Sequence, residues 1–106
     1  MIFVIATIEL HPGRRNDFLN EFRKIVPLVR QEAGCILYTP TTDTPANLSA
    51  QPPLRYDVVV VVEQWASLAA LEAHLAAPHM VAYRPKVKEM VVKTTLQVLQ
   101  DANGSS

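Results

Sequence analysis

Apolar residues along the chain follow two spacings, one typical of strands and one typical of helices. A β-branched, apolar segment runs from Ile2 to Leu10 and ends at the turn sequence His11-Pro12-Gly13, which predicts a first strand. From about Arg14 to Ala33 apolar residues recur every three or four positions, as on one face of an amphipathic helix. We expect Pro27 to kink this helix and Gly34 to cap its C-terminal end.

The second half of the chain contains a long loop and then further strands and helices. Cys35 to Thr39 is a predicted strand, and Pro40 to Tyr56, with its four prolines and many small polar residues, is a predicted loop. The remaining elements are a third strand (Val58 to Trp65), a helix capped by Ser67 and ended by Pro78, a short helical segment irregular at Pro85 (His79 to about Lys88), and a fourth strand (Met90 to Leu99).

This order, β-α-β-β-α-β, predicts an α+β fold of the ferredoxin-like kind, an antiparallel sheet with helices on one face. A chain of 106 residues is long enough for one ordinary domain and too short for two. We therefore expect a single domain over residues 1–100, followed by a polar, mobile tail at 101–106.

The two central strands predict how the protein associates. An antiparallel sheet with one face in water alternates apolar and polar residues, but Val58 to Val62 is apolar at every position and so is Ile2 to Ala6. Helices can cover only one of the two faces. Because the other face would otherwise be a large exposed apolar patch, we predict a homodimer that packs sheet against sheet.

Composition and charge exclude several classes of function. Ten basic residues balance ten acidic ones without a basic cluster, so nucleic acid is not an expected partner. No apolar stretch approaches the roughly 20 residues of a membrane helix, and the start of the chain lacks the basic region of a signal peptide. A lone Cys35 precludes an intramolecular disulfide. These features predict a soluble, cytoplasmic protein that does not bind a membrane.

His74 is the leading candidate for chemistry. It lies three residues after Leu71 and one before Leu75, so helical spacing places it beside the apolar stripe, facing inward. One interpretation is a buried histidine bonded to a backbone carbonyl. The other is a general base in a dry pocket, a role for which the near-neutral pKa of imidazole is suited.

Five other residues are candidates for the same site, and each has a structural alternative. Trp65 could pack in the core or stack on a planar ligand. His79 could make a local turn contact. Tyr38 and Tyr83 could direct their hydroxyls into a cavity or simply fill the core. Glu63 could lie exposed at the sheet end or be a partly buried carboxylate.

No sequence motif announces a cofactor or a metal. The three glycines form no phosphate loop, and HExxH, CxxC and dinucleotide-binding patterns are absent. His74 and His79 are five residues apart with a proline between them, which is poor geometry for one metal ion. We expect Cys35 to be a small buried residue. Any enzyme here is expected to act with side chains and substrate alone, or with a cofactor that the sequence does not announce.

The chain resembles the antibiotic biosynthesis monooxygenase superfamily, and within it the small bacterial quinol monooxygenases. The resemblance rests on HPG at 11–13, on FRKIVPLVRQEAGC at 22–35, and most specifically on EQWASLAALEAHLAAPHMVAY at 63–83. It implies a dimeric α+β barrel of ferredoxin-like protomers. It also implies oxidation of a quinol or polycyclic phenol by O₂ without metal, flavin or haem.

Within this resemblance each candidate residue has an implied role. His74 would be the catalytic base that takes the hydroxyl proton, and Trp65 the stacking wall. Tyr38, His79 and Tyr83 would be polar or aromatic lining of the substrate-binding pocket, together with Glu63. The partners would be a small aromatic substrate, O₂ and a second copy of the chain.

The sequence argues against one related reaction and leaves two alternatives open. Haem cleavage is disfavoured, because the approximate positions of its Asn, Trp and His hold Ala6 or Thr7, His74 and Arg84. An isomerase could use His74 to transfer a proton on a small hydroxyketone or sugar phosphate. A dimeric module could also bind an aromatic metabolite without turnover. For a phosphate, the possible cationic ligands are Arg23, Lys24 and Arg55.

Overall fold

The computed structural model describes residues 1–104, which form one sheet and three helices. The prediction of a mobile tail at 101–106 lies partly outside the described residues. Within the described part of this segment, the Asn103 backbone amide donates a hydrogen bond to Asp101 Oδ1 at 2.7 Å. In chain order the elements are β1 (Ile2–Leu10), α1 (Arg15–Arg30), β2 (Cys35–Thr41), β3 (Val58–Trp65), α2 (Leu68–Leu75), α3 (Pro78–Val87) and β4 (Val91–Leu99). This order confirms the predicted ferredoxin-like α+β fold, with its last helical region divided into α2 and α3.

The four strands pair in the order β2-β3-β1-β4, and every pairing is antiparallel. The edge strand β2 runs two residues beyond its predicted end at Thr39 and includes Pro40. A proline is tolerated there because an edge strand pairs on one side only. The Thr41 hydroxyl donates to the Val60 carbonyl at 2.6 Å, which holds this extension against β3.

Strand alternation divides the sheet into a helix-covered face and an open face. The buried residues of the central strands face the helices: Val4, Ala6, Ile8 and Leu10 of β1, and Val59, Val61, Glu63 and Trp65 of β3. The open face carries Ile5, Val58, Val60 and Val62, which are half-buried, and Phe3, which is 38% exposed. Both faces of the two central strands are therefore apolar, as the valine run predicts.

Helix α1 packs on the sheet through the face that its periodicity predicts. Phe18, Phe22, Ile25 and Val29 are buried. The helix is continuous through Pro27 and ends at Arg30, with Gln31 in right-handed conformation as its C-cap. The prediction that Gly34 caps this helix is wrong, because Gly34 lies beyond the cap, in the turn that leads into β2.

Ser67 and Pro78 both mark the start of a helix. The Ser67 hydroxyl accepts from the Ala70 amide at 3.1 Å, which confirms the predicted cap. Helix α2 ends at Leu75 and Pro78 opens α3, so the expectation that Pro78 ends the preceding helix needs correction. The first turn of a helix suits proline, because its missing N–H would have no helical partner there. Pro85 lies inside α3 without interrupting it.

Gly34 positions helix α2, and replacing it by Ala is expected to destabilise the fold by about 2–5 kcal/mol. Its φ is +83°, and a Cβ at this position would lie 2.6 Å from the Cβ of Ala70 on α2. Gly13→Ala is the matched control, because its φ is +80° but a Cβ there meets nothing within 4 Å. We expect the control to lose only about 1–2 kcal/mol, the backbone cost. Urea titration of both variants measures the difference, and equal losses would contradict the close approach.

Candidate functional site

A cavity of about 820 Å³ lies between the helix-covered face of the sheet, α3 and β4. Most of its lining is apolar. Four of the six residues that the sequence singles out line it: Tyr38, Glu63, His74 and Tyr83. They come from four separate elements, the strands β2 and β3 and the helices α2 and α3. A cavity of this size, with a few polar groups on apolar walls, is typical of small-molecule sites.

Trp65 and His79 do not line the cavity. Trp65 is 0% exposed, as expected for a core tryptophan. Its ring centroid lies 4.7 Å from that of His74, and its indole N–H donates to Glu63 Oε1 at 2.9 Å. Trp65 therefore supports two cavity residues from behind. His79 instead approaches Glu32, with 2.7 Å between Nε2 and Oε2.

His74 presents one ring nitrogen to Glu32 and leaves the other unbonded. It is 2% exposed, in agreement with the predicted inward orientation. Its Nδ1 lies 3.0 Å from Glu32 Oε2. Because a carboxylate accepts hydrogen bonds, Nδ1 carries its proton and Nε2 is the acceptor.

The free nitrogen of His74 reaches the cavity. Within residues 1–104, no buried side-chain nitrogen or oxygen lacks a hydrogen-bond partner, and both side-chain hydrogen bonds of His74 involve Nδ1. Nε2 therefore touches accessible space in a residue that lines the cavity. Burial lowers the pKa of His74, against the opposing hydrogen bond and charge of Glu32. A neutral imidazole with a free acceptor nitrogen can take a proton from a bound hydroxyl.

Glu32 is the residue of this site that sequence reasoning missed. It follows α1 and lies 42 residues before His74 in the chain. Its carboxylate contacts both His74 and His79. No spacing rule connects positions so far apart, since the contact exists only once α1, α2 and α3 are packed on the sheet. A glutamate between the end of a helix and a glycine matches no sequence motif that would mark it as a site residue.

Glu63 is a buried carboxyl group, the second of the two alternatives that the sequence leaves open. It is 5% exposed because strand alternation turns it to the same side as Val61 and Trp65. Burial raises its pKa to about 7, the Trp65 N–H opposes that rise, and the charge of Glu32 adds to it. A carboxyl group near the midpoint of its titration at neutral pH can donate or accept a hydrogen bond.

Replacement of Glu63 by Gln should make stability less dependent on pH. The raised pKa means that the folded state keeps this proton above the usual pKa of 4.5, up to about 7. Stability from the protonated group is thus fully present below pH 4.5 and is lost as pH rises through 7. We expect the wild type to lose about 3 kcal/mol of unfolding free energy relative to Glu63→Gln over this interval. Urea titrations of both proteins at several pH values measure it, and parallel curves would contradict the raised pKa.

The two tyrosines give the cavity an aromatic wall and two hydroxyl groups. The Tyr38 ring stacks on Phe22 at 5.6 Å between centroids and meets His74 edge-on at 5.3 Å. Tyr83 packs edge-on against Phe22 at 5.8 Å. Burial raises the pKa of both tyrosines. Their hydroxyls therefore remain protonated and can donate hydrogen bonds to a substrate oxygen.

The cations near the cavity differ from those considered for a phosphate group. Arg23, Lys24 and Arg55 do not line the cavity, whereas Arg84 of α3, Lys88 at its C-cap and Lys93 of β4 do. No residue of the described segment 42–57, between β2 and β3, lines it either.

Cys35 is half-buried, less than predicted, and burial raises the pKa of its thiol.

Among residues 1–104 no group of three or more His, Cys, Asp or Glu side chains is placed to hold a metal ion. None of the helices in the described part is both long and apolar enough to cross a membrane.

Known proteins resemble this chain both in sequence and in fold. A sequence profile described as antibiotic biosynthesis monooxygenase matches residues 1–86. The chain is 45% identical over 102 residues to "Probable quinol monooxygenase YgiN" of Escherichia coli (strain K12), an alignment that covers 94% of this chain and 97% of that protein. The crystal structure of PA3566 from Pseudomonas aeruginosa matches with a TM-score of 0.75 and 26% identity, over 92% of this chain and 90% of that one. Rv0793 from Mycobacterium tuberculosis has a TM-score of 0.77 at 24% identity, over 99% and 98% of the two chains, and shows the fold alone.

Proposed function

The chain belongs to the antibiotic biosynthesis monooxygenase family, and we propose from this premise that it oxidises a quinol or polycyclic phenol with O₂, without a cofactor. The observation that carries the proposal is His74, a buried imidazole with a free Nε2 in an otherwise largely apolar cavity. A relative of 45% identity bears the name of a probable quinol monooxygenase, which supports a hydroquinone as the substrate class.

The first step is removal of a proton. Nε2 of His74 takes the proton of a substrate hydroxyl, which leaves an electron-rich quinolate in a cavity with few polar groups. The Tyr38 and Tyr83 hydroxyls and the Glu63 carboxyl donate hydrogen bonds to the substrate oxygens and orient the ring. Trp65 holds His74 and Glu63 in place from behind, a supporting role rather than that of a stacking wall.

The later steps need only substrate, oxygen and the proton that His74 holds. The quinolate passes an electron to O₂, the two radicals combine to form a C–O bond at a ring carbon, and the peroxide anion takes the proton back from His74. The resulting hydroperoxide loses water and gives a hydroxyquinone. One oxygen atom enters the product and the other leaves as water, so the substrate supplies all four electrons.

A homodimer formed through the open sheet face is part of the proposal. Ile5, Val58, Val60 and Val62 lie on this face and are only half-buried in a single chain. A second copy related by a two-fold axis would cover them.

Oxygen uptake by metal-stripped protein tests the proposed function. Reduced naphthoquinones and anthrone-like phenols are offered in turn, and uptake in protein-free buffer is subtracted because quinols also react with oxygen unaided. We expect one O₂ consumed per substrate and one ¹⁸O atom incorporated into the product under ¹⁸O₂, measured by mass spectrometry. Uptake no faster than buffer with every substrate would contradict the proposal.

An isomerase that transfers a proton on a sugar phosphate is the second candidate, and one observation favours it. Arg84 and Lys88 line the cavity, and cations there could hold a phosphate group. Turnover of a hydroxyketone phosphate under nitrogen, with no oxygen uptake from quinols, would select this candidate. Tight binding of an aromatic compound without turnover of either substrate would leave a binding module.

A further inference from the structure

We propose that Glu32 is a positioning residue that holds His74 in the tautomer with a free Nε2, and that His79 in turn holds Glu32. The inference deepens the proposed function and rests on it, because it gives His74 the ring nitrogen that a base requires. Neither the family assignment nor the sequence pattern singles out Glu32.

The geometry brings three elements together on one carboxylate. Oε2 of Glu32 lies 3.0 Å from His74 Nδ1 and 2.7 Å from His79 Nε2. Glu32 follows α1, His74 lies on α2 and His79 on α3. The carboxylate side chain is 14% exposed, and the two histidines are 2% and 23% exposed. Both contacts therefore lie mostly out of water, where hydrogen bonds to a charged group are strong.

The arrangement selects a tautomer. A neutral imidazole carries one proton, and only its unprotonated nitrogen can act as a base. Glu32 accepts from Nδ1 and thereby leaves Nε2 free toward the cavity. The same logic applies in serine hydrolases, where a carboxylate orients the catalytic histidine without taking its proton.

His79 limits how the carboxylate can rotate. Its contact with Oε2, the oxygen that also meets His74, gives Glu32 a second anchor, in the way that outer hydrogen bonds orient the groups that act directly. His79 therefore acts on the site from outside the cavity, which it does not line.

Nitrogen NMR of the wild-type protein gives the first test. The chain has three histidines, so ¹⁵N-labelled protein yields few signals, and His74→Ala and His79→Ala assign them. We expect His74 with its proton on Nδ1 at neutral pH. A proton on Nε2 would overturn the proposal, and this result does not depend on any activity.

The second test replaces Glu32 by Gln, with Glu72→Gln as the matched control. Glu72 is exposed on α2, the helix that carries His74. Because the hydrogen bond and charge of Glu32 raise the pKa of His74, we expect the titration of His74 to move to lower pH in Glu32→Gln and to stay unchanged in the control. An unchanged tautomer and midpoint in Glu32→Gln would overturn the proposal.

Kinetics separate positioning from structural support. Glu32→Gln should lower kcat by about 10- to 100-fold, as loss of an orienting outer partner does, with KM little changed. In a His74→Ala background the same substitution should cost nothing further, because it acts through His74. An equal loss in both backgrounds would assign Glu32 a structural role instead. If no quinol is oxidised at all, the proposed function fails while the NMR results still decide the role of Glu32.

Discussion

Replacement of His74 by Ala is expected to lower kcat for quinol oxidation by about 10²- to 10⁴-fold, the contribution typical of a general base. The reason is that no other unbonded imidazole nitrogen reaches the cavity from residues 1–104, since His79 binds Glu32 and does not line it. Oxygen uptake with saturating reduced naphthoquinone measures the change. The residual rate should lose the increase with pH that deprotonation of an imidazole causes, because His74 is absent.

His11→Ala is the matched control for this variant. His11 is exposed in the turn after β1 and lies outside the cavity lining, so its loss should leave kcat unchanged. Circular dichroism and thermal melting establish that His74→Ala is folded. A folded His74→Ala protein with wild-type kcat would remove the assignment of the base and leave the family membership untouched.

Replacement of Val60 by Lys is expected to dissociate the proposed homodimer, with the dissociation constant raised by at least about 10³-fold. Val60 lies on the open face between Thr7 of β1 and Thr41 of β2. In a two-fold dimer each substitution is present twice, so two charges would be buried against apolar side chains. Each carries a desolvation cost of several kcal/mol. Analytical ultracentrifugation across micromolar concentrations measures the association.

Leu28→Lys is the control for the added charge. Leu28 is 47% exposed on α1, away from the open face, and this variant should sediment as the wild type does. Thr95→Lys, on the edge strand β4 opposite Thr7, adds a charge to the same face without removing a valine. It therefore separates the effect of the charge from the effect of losing the Val60 side chain. A wild-type protein that sediments as a monomer at micromolar concentration would refute the dimer directly.

The fold was predictable because its signals are local. The valine run of β3, the helical spacing of Phe18 and Phe22, and the Ser67 cap each depend on neighbours in the chain, and each matches the structure. The wrong predictions concern glycine and proline, because each of these residue types is compatible with two different positions relative to a helix. Gly34 has the positive φ of a capping glycine but uses it beyond the cap, and Pro78 begins a helix rather than ending one.

The site was predictable only in part, for a related reason. Period-two alternation on β3 places Glu63 and Trp65 on the helix-covered face, and helical spacing turns His74 inward. These are one-element arguments, and they identify residues without saying which groups meet. They could not distinguish a tryptophan at the cavity surface from one behind it.

The sequence by itself determined the element order, the two apolar faces of the sheet and the inward orientation of His74, because repeating backbone geometry dictates them. Only the tertiary structure decided that Glu32 joins His74 to His79, that Trp65 stands behind Glu63, and that Arg84 borders the cavity. Those facts depend on how α1, α2 and α3 pack against one another. Contacts between residues more than 40 positions apart, such as Glu32 and His74, are products of packing, which no local pattern in the chain encodes.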